Sequence, residues 1–125
     1  DKGVFNYPMM WTSTGYVYDH EVGFTRPGGG AVFAETGPIQ IGDGDKILHI
    51  NQLIPDERTQ GDVTATFTKK YFPNGTETTY GPYTMSNPVS VRFNGREINM
   101  RVDGARDVDW RVGVMRLNAI PGGRR

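Results

Sequence analysis

From Val63 to Thr68 the chain reads Val-Thr-Ala-Thr-Phe-Thr, with an apolar side chain at every second position and threonine between. Successive side chains of an extended strand point to opposite faces. Val63, Ala65 and Phe67 therefore share one face and three threonines the other, as a half-buried strand requires. A helix would scatter the same residues around its circumference. The pattern recurs: Val89, Val91 and Phe93 alternate with Ser90 and Arg92, and Ile98, Met100 and Val102 with Asn99 and Arg101. Lys46 to Ile54 is the most apolar run and reads as a central strand ended by Pro55. No segment sustains a helical period.

Turn chemistry separates these runs. Gly (17) and Pro (8) make up about a fifth of the 125 residues, a proportion that suits many short strands joined by tight turns. Gly15 to Val22 begins as a strand, with Tyr16 and Tyr18 on one face. Phe24 to Gly30 cannot hold a ladder and reads as a loop. Ala31 to Thr36 and Pro38 to Ile41 read as short strands, Gly42 to Asp45 and Phe72-Pro73-Asn74-Gly75 as turns, and Thr76 to Tyr80 as an edge strand punctuated by Gly81-Pro82. Asn94-Gly95 is suited to a two-residue hairpin. After the turn at Asp103–Asp107, Trp110, Val112 and Val114 alternate, with Trp110 in the core. The apolar phase then slips to Met115, Leu117 and Ala119, as a β-bulge beside Gly113 would produce. Pro121 to Arg125 is expected to be a surface tail unable to extend a strand. The whole predicts one all-β domain over residues 1–125, an antiparallel β-sandwich (jelly-roll-like) or small barrel of about seven to eight strands. Asp1 in place of an initiator Met predicts that the domain is the C-terminal module of a longer chain.

Charge is balanced overall but unevenly spread. Residues 1–88 hold six Lys/Arg against ten Asp/Glu, and residues 89–125 hold eight Arg against four acids. A whole-chain nucleic-acid binder is usually markedly basic, so this balance points to complementary surfaces between subunits. Beyond Lys70 every positive charge is an arginine: Arg92, Arg96, Arg101, Arg106, Arg111, Arg116, Arg124 and Arg125. A guanidinium offers a planar fork of donors and tolerates partial burial. The series is read as a solvated strand face or as inter-subunit ion pairs with the acidic half, and less readily as a groove for a polyanion. Trp11, beside Met9 and Met10, is the candidate for an exposed aromatic contact with a neighbouring chain.

Chemistry-bearing constellations are sparse. With no cysteine, disulfides and thiolate metal sites are excluded. His20 and His49 lack ligand spacing. Asp43 and Asp45 in the GDGD turn offer two carboxylates to Ca²⁺, and Asp103, Asp107 and Asp109 form a second acidic loop, but neither completes a calcium-loop pattern. Glu21, Glu35 and Glu57 lie on or near strands and would act in glycoside hydrolysis only if two of them converged in a cleft. Gly28-Gly29-Gly30 lacks the strand, helix and lysine of a phosphate loop. Asn74-Gly75-Thr76 reads as a turn. The expectation is a non-enzyme with no cofactor and no resident metal. No apolar run approaches the roughly 20 residues of a membrane helix, so no membrane partner is expected.

Six segments form a recognisable set: YVYDHE at 16–21, GDGD at 42–45, IPD at 54–56, YFPNGTET at 71–78, GPYT at 81–84 and GRE at 95–97. Above all there is DWRVGVMRLNAIPGGRR at 109–125. Together they resemble the C-terminal region of large virion structural proteins of tailed bacteriophages, many of them short-tailed, whose chains close on a WR-G-x-x-R-L motif and a Gly-Arg-Arg ending. The resemblance implies a tail tube, nozzle or hub component in the virion, with ring-forming copies of itself and other tail proteins as partners and DNA passing through the assembly. It supplies no catalytic residue. The competing expectation is a carbohydrate-binding sandwich that recognises a host-surface glycan through exposed aromatics such as Trp11.

Overall fold

A computed structural model of the chain describes residues 6–24, 29–40, 45–56, 59 and 61–124. Nine strands are present among them: β1 (Met9–Trp11), β2 (Val17–Asp19), β3 (Val32–Glu35), β4 (Lys46–Ile54), β5 (Val63–Lys70), β6 (Thr78–Thr84), β7 (Val89–Gly95), β8 (Glu97–Gly104) and β9 (Arg116–Arg124). All pairings are antiparallel. They build a four-stranded sheet of order β3-β8-β5-β6, a three-stranded sheet β7-β4-β9 and a separate ribbon β1-β2. The two larger sheets face each other as a β-sandwich. Both remain open at their edges, so the barrel alternative does not apply.

The alternation read from the sequence fills the space between the sheets. Val63, Ala65 and Phe67 of β5 and Ile98, Met100 and Val102 of β8 meet Leu48, Ile50 and Leu53 of β4 and Val91 and Phe93 of β7 in one buried cluster. Aromatic rings join the layers. Phe67 and Phe93 lie 5.2 Å apart between centroids, Tyr80 stacks on Phe93 at 4.9 Å, and Tyr83 sits 6.2 Å from Phe67. Burying a side chain of this size is worth about 1.5–3 kcal/mol over leaving it in water. β4 is the centre of its sheet, as its apolar run predicts. A register shift between Ile50 and Gln52 moves its inward phase from Leu48 and Ile50 to Leu53.

The structure corrects several readings of the sequence. Asn94-Gly95 makes no hairpin: β7 and β8 belong to opposite sheets, and the chain turns a corner between them at Arg96, whose N–H donates to the Lys70 carbonyl at 3.1 Å. Gly81-Pro82 does not end β6. The strand runs through it with a cis peptide bond and a register shift opposite Ala65–Phe67. Pro121 to Arg124, expected as a tail, continues β9 against β4, with Pro121 opposite Leu48 and Arg124 opposite Lys46. β6 and β9 are both edge strands, where a residue without an N–H breaks no ladder on its open side. The expected strand at Pro38–Ile41 is reduced to one bridge, Ile39 to Ile98, and the Gly42–Gly44 part of the GDGD turn lies outside the described residues.

At the corner sits Glu97, 7% exposed and the only charged residue buried among those described. Its carboxylate accepts from Gln40 Nε2 at 2.8 Å and lies 3.7 Å from Lys70 Nζ. Its two oxygens thus have partners in exchange for water, which is what makes its burial tolerable.

Two substitutions test this core. Phe93→Ala is expected to cost about 3–5 kcal/mol in denaturant unfolding. Arg92→Ala, one residue away on the solvent side, should stay within about 0.5 kcal/mol of the parent. Equal effects of the two would contradict the facing described here.

Candidate interaction surfaces

Three surfaces carry the residues singled out in the sequence. The first is the β1-β2 ribbon. Its register pairs Met10 with Tyr18 and Trp11 with Val17, closed by a turn in which the Thr12 N–H donates to the Tyr16 carbonyl at 3.0 Å. Met10, Tyr16 and Tyr18 therefore share one face, with the two tyrosine rings 6.4 Å apart, and Met9, Trp11 and Val17 share the other. Apart from the half-buried Met9, all of them are exposed, Trp11 to 72% and Tyr16 to 65%. Both faces of the ribbon are thus apolar and wet. It makes its strand contacts with itself rather than with the sandwich. Two-stranded ribbons are marginal alone in water, and clustered exposed aromatics mark contact surfaces.

The second surface is the outer face of β7-β4-β9. With Val91, Phe93, Leu48, Ile50, Leu53, Leu117 and Ala119 turned inward, the outer rows are Ser90, Arg92 and Asn94 on β7, Ile47, His49, Gln52 and Ile54 on β4, and Arg116, Asn118 and Ile120 on β9. The three strands contain no Asp or Glu; their charges are Lys46, Arg92, Arg116 and Arg124. His49 leans over β9 above Gly122, where a β-carbon would displace its imidazole. A satisfied strand histidine, as the sequence suggests, is compatible with this packing. Where this face meets the β5–β6 turn and the β7–β8 corner, Ile47, Tyr71, Phe72 and Arg96 line a shallow hollow of about 110 Å³.

The third surface is the end of the sandwich where β8 stops. Here Trp110 corrects its sequence reading. It lies in the loop before β9, not in a strand, and packs half-buried against the core cluster. Its indole rests on Gly104, where a β-carbon would collide with the ring. Phe24, Val32 and the 105–109 loop complete a hollow of about 270 Å³ around it. The predicted bulge beside Gly113 is instead a non-strand segment tied down by Asp56 and Thr59. Val114 N–H donates to Asp56 Oδ2 at 3.2 Å, and Gly113 N–H to Thr59 Oγ1 at 3.3 Å.

The arginines are dispersed over these surfaces rather than gathered in one stripe. Arg92 and Arg116 are exposed on the carboxylate-free sheet, and Arg96 walls its hollow. Arg101 instead turns along its own strand to Asp103, with Nη2–Oδ1 at 2.7 Å, and stacks over Phe33 at 3.8 Å. The hydrogen bond to Asp103 holds its guanidinium above its ordinary range. Arg106 sits 3.6 Å from Asp107 and donates to the Gly29 carbonyl. Arg111 is exposed in the loop before β9. Arg124 pairs through its backbone with Lys46, and Arg125 lies outside the described residues. On the opposite sheet Lys69 lies over Tyr71 and Tyr80, 5.0 and 5.2 Å from the ring centroids. Burial lowers its ammonium, but hydrogen bonds and charge attraction from the two tyrosines outweigh that and leave it above its ordinary value.

Of the carboxylates considered for catalysis, Glu21 follows the ribbon, Glu35 ends the edge strand β3, and Glu57 lies outside the described residues. Asp43 lies outside them too. Among the described residues no group of three or more His, Asp or Glu is placed to hold a metal ion. No protein-family model matches the chain, and no curated protein matches it.

Truncating a fully buried Trp costs about 3–5 kcal/mol, so half-buried Trp110→Ala should cost about 2 kcal/mol. Gly104→Ala should destabilise by a similar amount, because it displaces the ring. The double variant should lose less than the sum of the two in chemical denaturation, since both remove one contact. Full additivity would show that the indole does not rest on Gly104.

Proposed function

We propose that this chain is a structural assembly module of a bacteriophage tail, a tube, nozzle or hub component in the virion that contacts copies of itself in a ring and other tail proteins. The observation that carries the reading is the two-faced apolar ribbon. A strand pair that leaves Trp11 72%, Tyr16 65% and Met10 53% exposed presents large apolar side chains that the described residues do not cover. Burial of such residues between subunits is how stable interfaces gain their central energy. The resemblance of the 109–125 segment to the closing motif of tail proteins points the same way. In this reading the chain is not an enzyme and needs no cofactor. Arginines such as Arg101 and Arg106, already beside carboxylates of their own chain, are poor clamps for the DNA that passes through a tail.

The reading is tested by the mass of the purified chain across a concentration series, alone and with the neighbouring tail proteins. Closed rings or co-assemblies burying about 800 Å² or more per partner are expected, because standard stable interfaces are of that size. A chain that stays monomeric in both settings would overturn it.

A second reading, recognition of a host-surface glycan, is favoured by one observation. Tyr16 and Tyr18 form an exposed aromatic pair of the kind on which sugar rings stack. Because Trp11 lies on the opposite ribbon face, Tyr16→Ala rather than Trp11→Ala should abolish binding on a glycan array. An array without signal removes this reading.

A further inference from the structure

The ribbon and the carboxylate-free sheet are complementary in charge as well as in chemistry. Residues 6–24, which form the ribbon and its flanks, contain Asp19 and Glu21 and no Lys or Arg. The outer face of β7-β4-β9 presents Arg92 and Arg116 among Ser, Asn, Gln and Ile side chains, with no acid on any of the three strands. At one corner of that face, the hollow of Ile47, Tyr71, Phe72 and Arg96 combines apolar walls with a guanidinium. Phe72 is 58% exposed there. An indole suits such a hollow: it fills apolar space and accepts a cation at its ring face.

We propose that the ribbon of one copy docks on the β7-β4-β9 face of a second copy, with Trp11 seated in the Ile47–Tyr71–Phe72–Arg96 hollow and Asp19 and Glu21 opposite Arg92 and Arg116. This rests on the assembly reading above and specifies which surfaces carry it. The contact is head-to-tail: the surface that gives differs from the surface that receives. Each copy therefore keeps one free ribbon and one free face until a ring closes or a filament grows, whereas a self-complementary contact would stop at a dimer. It also accounts for a ribbon that is apolar on both sides, since one side can lie on the receiving sheet while the other meets a further neighbour.

The absence of cysteine makes a direct trap possible. Trp11→Cys and Phe72→Cys both change exposed side chains, so each chain, diluted until it is monomeric, should melt at the temperature of the parent at the same dilution. Under mild oxidation an equimolar mixture of the two variants should form a covalent pair of twice the chain mass, at least ten-fold more than either variant alone. Adding Arg92→Glu and Arg116→Glu to the Phe72→Cys chain should reduce the yield by a similar factor at low salt. Adding Asp19→Arg and Glu21→Arg to its partner should restore it, because the charge pattern is then reversed on both sides. No excess of pairs in the mixture overturns the proposal. So does a double variant that cross-links only within one chain, which would mean that the ribbon folds back on its own sandwich. Sedimentation of the parent separates this from failure of the assembly reading. If the parent assembles while the trap fails, the docking site is wrong and assembly stands. If the parent never assembles, both fall.

Discussion

Phe67 and Phe93 touch across the space between two sheets, and the fold depends on that contact. The strands that carry them, β5 and β7, are not hydrogen-bonded to each other. The three-stranded sheet is held to the four-stranded one by side-chain packing and by the covalent corner at Arg96. Tyr80 and Tyr83 extend the aromatic contact from the edge strand β6, so an otherwise polar, threonine-rich strand is anchored by two rings. With no cysteine to form a disulfide, apolar burial is the main force holding the layers together. Glu97 sits beside the corner as a compensated exception, with Gln40 and Lys70 taking the place of water.

Proline and glycine acquire their meaning from position in a sheet. Pro82 and Pro121 look like strand breakers in sequence, yet both lie within strands, because β6 and β9 are edges with one side free of ladder bonds. Gly104 and Gly122 are not turn glycines. They sit in or beside ladders, where the Trp110 indole and the His49 imidazole lie on the backbone and exclude a β-carbon. The Gly122–His49 relation joins segments far apart in the chain, and Gly104 meets Trp110 across the 105–109 loop; local turn chemistry registers neither.

Charge behaves in the same way. The acidic first half and arginine-rich second half suggest two oppositely charged surfaces divided along the chain, but folding interleaves them. Arg101 finds Asp103 two residues away, and Arg106 finds Asp107. Arg92 and Arg116 come to share a sheet face with a strand from the acidic half that itself carries only Lys46. The division that survives in space is between an acidic aromatic ribbon and a carboxylate-free sheet. In the proposed assembly those are the giving and receiving surfaces.

Two-residue periodicity by itself determined the all-β class, the inward residues of β5, β7 and β8 and the shared face of Tyr16 and Tyr18, because side-chain facing in a strand is a local property of the backbone, and the apolar run Lys46–Ile54 placed β4 at the centre of its sheet. Trp11, read from the Met-Met-Trp stretch as an exposed side chain, is exposed in the ribbon. The partner of each strand was left to the tertiary structure. Asn94-Gly95 has hairpin chemistry, but Phe93 and Ile98 must enter one core from opposite layers, and this turns the chain across the sandwich instead of back along its neighbour. Trp110 keeps phase with Val112 on paper and lies in a loop in space, packed on Gly104 and against the core cluster without joining a ladder. Facing is decided within a few residues; pairing, edges and corners are decided by which distant surfaces exclude water together.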